Sequence, residues 1–212
     1  MEISRILPVL KDKRLLLASN SPRRRELLGN FGAEVHIAPS RDVDESYPAD
    51  MEPERVPEFI SRKKAEAYFG DMASDEILVT ADTVVIVGGA VLGKPHSHDE
   101  AVEMLRLLSG KTHTVATGVT LADSRRMRSF TTVTAVRFDV MTDDEIEYYV
   151  ERFRPYDKAG AYGIQEWIGY IGISGINGDY YNVMGLPLHD LFTALKDFGC
   201  ESRIEFGDCS PE

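Results

Sequence analysis

Residues 14–29, "RLLLASNSPRRRELLG", set a short apolar run of strand length directly before a helix start. Ser21 is of the N-capping type, and Pro22 occupies the first helical position, where its missing N–H costs nothing. A strand that enters a helix with so short a link calls for helices packed on a sheet. The helix start is unusual in its charge. Arg23, Arg24 and Arg25 fall in the first turn, at the positive end of the helix dipole. A cation there costs roughly 0.3–1 kcal/mol near the surface. Either the run is solvated or an anion sits against it, because unpaired N–H groups and the dipole at a helix N-terminus favour one.

The rest of the chain alternates strand and helix patterns without repeats or low-complexity segments. "AEVHIA" reads as a second strand, followed by the acidic loop "RDVDESYPAD". Pro53 to about Phe69 reads as a helix. "ILVTADTVVIVGGAVL" is a β-hairpin turning at Gly88-Gly89. "HSHDEAVEMLRLLSG" is an amphipathic helix, and two long strands meet at the arginine-rich tip "ADSRRMRS", whose charges read as solvated. Thr142 and Glu145 form a capping box for "TDDEIEYYVERF". The glycine-studded stretch from Asp157 to Pro187 reads as loop and hairpin, and "LPLHDLFTALKDFG" as the last helix. The fold class expected is α/β, a twisted mixed sheet flanked by helices.

A chain of 212 residues suits a single domain. No apolar run approaches the ~20 residues of a membrane-spanning helix, and the N-terminus lacks the pattern of a secretory signal. Cys200 and Cys209 make no disulfide framework, so a reducing cytoplasm is the default location. Net charge is −11, from 35 acidic and 24 basic residues. An acidic protein binds DNA or RNA poorly, since that affinity comes from neutralising phosphates. A phosphorylated ligand would need basic residues gathered locally.

Several residues could carry chemistry. Asp82, in "VTADTVVIV", is a carboxylate in an apolar strand and needs a partner or a task. It reads either as a turn-bonding residue at a strand end or as a metal ligand or general base, with Thr83 beside it to orient a ligand or water. Lys63 and Lys64 lie about 100° apart on one helix, so at most one can face a site. Lys94 stands in a turn after the hairpin. Asp44 and Glu45 suit a hard cation such as Mg²⁺. His96, His98 and His113 lack the spacing of a metal site and read as surface or capping residues. No P-loop or dinucleotide-binding glycine pattern occurs.

"LASNSPRRRELL" resembles the opening motif of the Maf family of nucleoside triphosphate pyrophosphatases. The match continues through "ADTVV", "GKP", "AVEMLRLLSGKTHTVATGV", "DKAGAYGIQ" and "NVMGLPL". The resemblance implies hydrolysis of a nucleoside triphosphate to monophosphate and pyrophosphate with a divalent cation, Mg²⁺ or Mn²⁺. It implies one two-lobed domain over residues 1–212 with a central cleft, related to inosine triphosphate pyrophosphatases and commonly a homodimer. By match, Ser19, Arg23, Arg24, Lys64 and Lys94 would hold the triphosphate. Asp82 would be the catalytic carboxylate, activating water directly or through the metal, with Glu45 and Asp82 as metal ligands. Arg23, Thr83 and Gln165 resemble the specificity residues of the branch acting on dTTP and UTP. Two departures bear on specificity: Thr80 stands where a glycine is usual, and Glu166 after Gln165 would add negative charge near the base pocket. The alternatives are a family enzyme preferring 7-methyl-GTP and a nucleotide-sensing regulator of cell division. The resemblance of Gln165 argues against the first, and an intact Asp82 against the second.

Overall fold

The computed structural model describes residues 3–204, with side chains through residue 199. Its sheet is organised by β3 (Glu76–Val87), whose twelve residues are buried along most of their length. "ILVTADTVVIV" has the β-branched content that a strand covered on both faces requires. Along one side β3 pairs almost throughout with antiparallel β5 (Thr112–Ala122). Along the other it has two short partners. The parallel strand β1 (Arg14–Leu17) runs against Glu76–Val79, and β4 (Ala90–Leu92) returns antiparallel against Val85–Val87. Among the described residues, Thr80 to Val84 therefore face no strand on that edge. This gap in the sheet positions the site.

The turn into β4 takes positive φ at Gly88 (57°) and Gly89 (81°), as a two-residue hairpin requires. With β2 (Val35–Ile37), β6 (Met127–Phe138) and β7 (Ile173–Asn177), the seven strands run β2-β1-β3-β5-β6-β7, with β4 beside β3. The pairs β2–β1 and β1–β3 are parallel and the others antiparallel, so the sheet is mixed, as expected.

The helix starts follow their caps. The Ser21 side chain accepts from Arg24 N at the head of α1 (Pro22–Gly29). Ser97 caps α3 (His98–Leu108), and both halves of the Thr142–Glu145 capping box form at α4 (Asp143–Phe153). The helix expected from Pro53 opens with a 3-10 turn over Pro53–Arg55 and continues as α2 (Val56–Phe69). α2 rests directly on β5, where a Cβ on Gly118 would lie 2.1 Å from Glu58 N. One part of the core packs α3 and α4 on the sheet through Leu105, Phe138, Tyr149 and Ile168. Another packs α1 and α7 (Leu188–Ile204) through Leu17, Leu28, Leu195 and Phe198.

Three expectations need correction. The glycine-rich stretch is not only loop and hairpin: it forms α5 (Trp167–Gly172), β7 and α6 (Tyr180–Met184). Its glycines serve close approach, since a Cβ on Gly169 would meet Ile164 O at 1.8 Å. Tertiary packing there outweighs the ~1 kcal/mol by which a helical glycine disfavours the helix. The arginine-rich tip is not merely solvated. Arg128 pairs with Asp197 at 3.1 Å and the Arg126 guanidinium lies 4.2 Å over the Phe198 ring, fastening the hairpin to α7. His113 is neither surface nor cap; it is 2 % exposed and its Nε2 lies 2.7 Å from the Tyr162 hydroxyl. The Cys200 side chain and Cys209 lie outside the described residues. Among those described, no helix is long and apolar enough to cross a membrane.

Candidate active site

Where β1 stops, Ala18 N still reaches Val79 O at 3.0 Å, and the chain then turns away into Ser19 and α1. The space left against the bare edge of β3 is a cleft of about 570 Å³. Ser19, Arg23, Arg24, Glu45, Lys64, Asp82, Thr83, Lys94 and Gln165 all line it. Its charged lining comprises Arg23, Arg24, Arg41, Lys64, Lys94 and Lys158 against Asp42, Glu45, Asp82 and Asp157. The cleft is thus locally basic in a chain of net charge −11, the concentration of charge an anionic ligand needs.

Asp82 and Thr83 leave opposite faces of β3, as neighbours on a strand must. Asp82 meets α2, where Lys64 Nζ donates to its Oδ1 at 2.8 Å and pairs with Glu45 Oε1 at 3.0 Å. Lys63 turns away, to Asp44 at 3.2 Å and the Ser46 carbonyl at 3.0 Å. Asp44 accepts from the Ser46 side chain and backbone and from Lys63, which lowers its carboxyl to about 2; it lines no part of the cleft. α2 is held in register by Thr80, whose hydroxyl donates to Ser61 O at 2.7 Å. The Ser61 hydroxyl in turn lies 2.9 Å from that of Thr120. Threonine in the place of glycine is therefore accommodated as a buried, fully bonded tie between sheet and helix.

A divalent cation would find hard oxygen donors in Glu45 and Asp82, which converge on one point now held by the Lys64 ammonium. Among the described residues no group of three or more His, Cys, Asp and Glu side chains could form an all-protein metal cage. Two carboxylates fit Mg²⁺, which commonly takes one or two of them together with substrate phosphates.

On the other face of β3, Arg24 spends three donors on the protein. Its Nε donates to Gly185 O at 2.7 Å, Nη1 to Ala81 O at 2.9 Å and Nη2 to Thr83 Oγ1 at 2.9 Å. It replaces the missing strand at this edge, and its burial lowers the guanidinium pKa against the pull of Asp82. Arg23 reaches across the cleft to Asp157 Oδ2 at 2.6 Å. Arg25 is exposed, bonds Ser19 O and lines no part of the cleft. Ser19 Oγ accepts from Ser21 N at 3.2 Å, leaving its proton available to a ligand. Lys94 is exposed and makes no ion pair or hydrogen bond among the described residues.

The far wall carries what the sequence did not reveal. Lys158, 7 % exposed, donates to Asp157 Oδ1 at 2.8 Å and pairs with Glu166 Oε1 at 3.0 Å. Glu166 Oε2 accepts from the Tyr149 hydroxyl, which itself accepts from Gly163 N at 3.0 Å. The charge of Glu166 is thus compensated by Lys158 and not left open to the pocket. Burial alone would raise Asp157; bonds from Lys158 and Arg23 more than offset it and hold the carboxyl below its usual range. Only the adjacent Asp157-Lys158 after Pro155 hinted at this network. The Gln165 side chain bonds nothing else in the described chain, and its Oε1 is buried without a partner.

Residues 14–198 match the family model described as Maf-like protein. The chain is 54% identical over 182 residues to a dTTP/UTP pyrophosphatase of Bacteroides thetaiotaomicron, covering 86% of this chain and 94% of the relative. It is 52% identical over 196 residues to a dTTP/UTP pyrophosphatase of Porphyromonas gingivalis, covering 92% and 98%. Among solved structures, a HAM1 protein from Coxiella burnetii aligns with TM-score 0.46 at 12% identity, over 87% of this chain and 99% of that one.

Proposed function

Because the chain belongs to the family of Maf-like proteins, we propose that it hydrolyses nucleoside triphosphates, dTTP and UTP foremost, to the monophosphate and pyrophosphate. The relatives' names supply the substrate class. The observation that carries the reading is the meeting of Asp82 and Lys64 with the N-terminus of α1 in one locally basic cleft.

The triphosphate lies against the head of α1, the Ser19 hydroxyl, Arg23 and the free ammonium of Lys94. Arg24 shapes this wall and offers its two remaining N–H bonds. Asp82 accepts a proton from a water whose oxygen attacks the α-phosphorus. The bond from the α-phosphorus to the α,β-bridging oxygen breaks, and pyrophosphate leaves with that oxygen and the electron pair. Lys64 passes charge stabilisation from Asp82 to the phosphate oxygens as negative charge builds on them. A divalent cation held by Glu45 and Asp82 would add charge neutralisation on those oxygens. The unspent Gln165 acceptor suits the N3–H of uracil or thymine, with its amide N–H groups turned to O4. Homodimer formation belongs to the same proposal. It is supported by apolar side chains left exposed around β7, among them Tyr170 (75 %) and Ile176 (41 %), and sedimentation velocity measures it.

A nucleotide panel with Mg²⁺ or Mn²⁺, scored separately for pyrophosphate and orthophosphate, tests the reading. Pyrophosphate plus monophosphate from UTP and dTTP is expected; orthophosphate with a nucleoside diphosphate as first product overturns it.

A further inference from the structure

Gln165 sits in a turn that the rest of the protein holds and that its own side chain does nothing to hold. Glu166 N closes the turn on Gly163 O at 3.0 Å, and Gly163 N is fixed to the Tyr149 hydroxyl at 3.0 Å. The Tyr170 hydroxyl donates to Gln165 O at 2.8 Å. Glu166 stands at the N-cap of α5, yet its side chain caps nothing there. It reaches back instead, to the Lys158 ammonium on one oxygen and the Tyr149 hydroxyl on the other. The space is close: a Cβ on Gly163 would stand 2.9 Å from the Glu166 carboxyl carbon and 3.0 Å from Lys158 Cε. Lys158 also holds Asp157, which holds Arg23, so one chain of ion pairs joins the head of α1 to the turn bearing Gln165.

We infer that Glu166, clamped by Lys158 and Tyr149, is a positioning residue that fixes where the Gln165 amide stands in the cleft and so sets selection among pyrimidine bases. The inference rests on the proposed hydrolysis of pyrimidine triphosphates. It differs from a simple stabilising role in what it changes. A loosened turn moves the Gln165 amide to places from which it meets the donor–acceptor pattern of cytosine, because the backbone of the turn, and no side-chain bond, sets where the amide stands. Selectivity falls while Ser19, Lys94 and Asp82, which lie outside this chain of ion pairs, keep their places.

The test compares kcat and KM for UTP and CTP in the wild type, Glu166→Ala, Glu166→Gln and Tyr149→Phe, with Tm measured for each. In Glu166→Ala the UTP-over-CTP ratio of kcat/KM is expected to fall about tenfold, the size of one mis-seated hydrogen bond. Most of the change should lie in KM, with kcat for UTP within about threefold. Glu166→Gln keeps the length of the side chain but only one acceptor oxygen, enough for Lys158 or Tyr149 and not both, so the ratio should fall by less than in Glu166→Ala. Tyr149→Phe removes one anchor without altering charge, and gives the same readout should Glu166→Ala fail to fold. An unchanged ratio in both Glu166→Ala and Tyr149→Phe overturns the inference, as does an equal loss for both nucleotides in step with a lowered Tm. A wild type that makes no pyrophosphate from any pyrimidine triphosphate overturns the functional reading itself, and the inference with it.

Discussion

At the scale of single residues, the cleft separates groups that build it from groups free to act. Asp82→Asn keeps the shape of the side chain but removes the charge a base needs, so kcat for UTP should fall by ~10² or more with little change in Tm; near-normal turnover would place the chemistry elsewhere. Arg24 is different, because three of its donors are spent on Gly185, Ala81 and Thr83. Arg24→Ala takes their donor from the Gly185 and Ala81 carbonyls, while Thr83 keeps its bond with Thr117, and should lower Tm as well as raise KM, whereas Lys94→Ala should raise KM alone. Thermal melts beside steady-state kinetics separate the two. Gln165→Glu would set a carboxylate against O4 of UTP and dTTP yet still accept from the amino group of cytosine. Turnover of UTP and dTTP should therefore fall far more than that of CTP, and an equal loss across the panel would return Gln165 to a purely local role. The residue types of this site were legible in the sequence, but how they are used was not. Arg24 was visible as a cation at a helix start, while its acceptors lie 57, 59 and 161 residues away. Lys158 draws its role from Asp157 and Glu166, which the fold brings together around its ammonium.

At the scale of elements, the site exists because β3 is longer than its partners on one edge and because α2 docks on its face. Helix starts were legible through their local caps at Ser21 and Thr142, and the hairpin through Gly88-Gly89, while the Ser97 cap came with the structure. The helix α5 was not, since its glycines disfavour helix locally and only packing, as of Gly169 on Ile164 O, restores it; α6 is a single turn of five residues set between Gly178 and Gly185, too short for a helical pattern to show. The seat of α2 is likewise a tertiary fact. Gly118 pairs with Asp82 across the β3–β5 ladder and lies under the first turn of α2. Gly118→Ala puts a methyl group where the backbone of Pro57 and Glu58 stands, so α2 must shift and carry Lys64 away from Asp82. Overpacking of this kind costs about 1–3 kcal/mol. Both Tm and kcat should drop, and Thr80→Val, which loses only one hydroxyl tie, should drop them less. A Gly118→Ala protein with wild-type melting and turnover would show that α2 is not seated as described.

At the scale of the whole molecule, stability depends on pH through groups that the fold buries and does not release. His113 lies edge-on to Phe138 and Tyr162, with ring centroids 5.1 and 5.3 Å away. Its Nδ1 has no partner, and burial pushes its pKa down from 6.5 to about 4. Above pH ~6.5 the imidazole is neutral in folded and unfolded chains alike and contributes nothing to pH dependence. As pH falls below that value the unfolded chain takes up the proton and the folded one does not. Stability is lost across the window down to about 4, by a total on the order of 3 kcal/mol. The carboxylates behave separately. Asp44 and Asp157 are held below their usual range, so the stability they contribute is present above pH ~3.8 and is lost only as pH falls further. The acid side of the stability curve should therefore have two limbs with different owners. His113→Gln keeps a hydrogen-bonding group opposite the Tyr162 hydroxyl and cannot titrate. Urea unfolding midpoints measured from pH 8 to pH 3 should be nearly level for this variant between 6.5 and 4, where the wild type declines, and the two should fall together below 4. A variant that declines as steeply as the wild type in the upper window would mean that the buried imidazole is not what unfolding protonates.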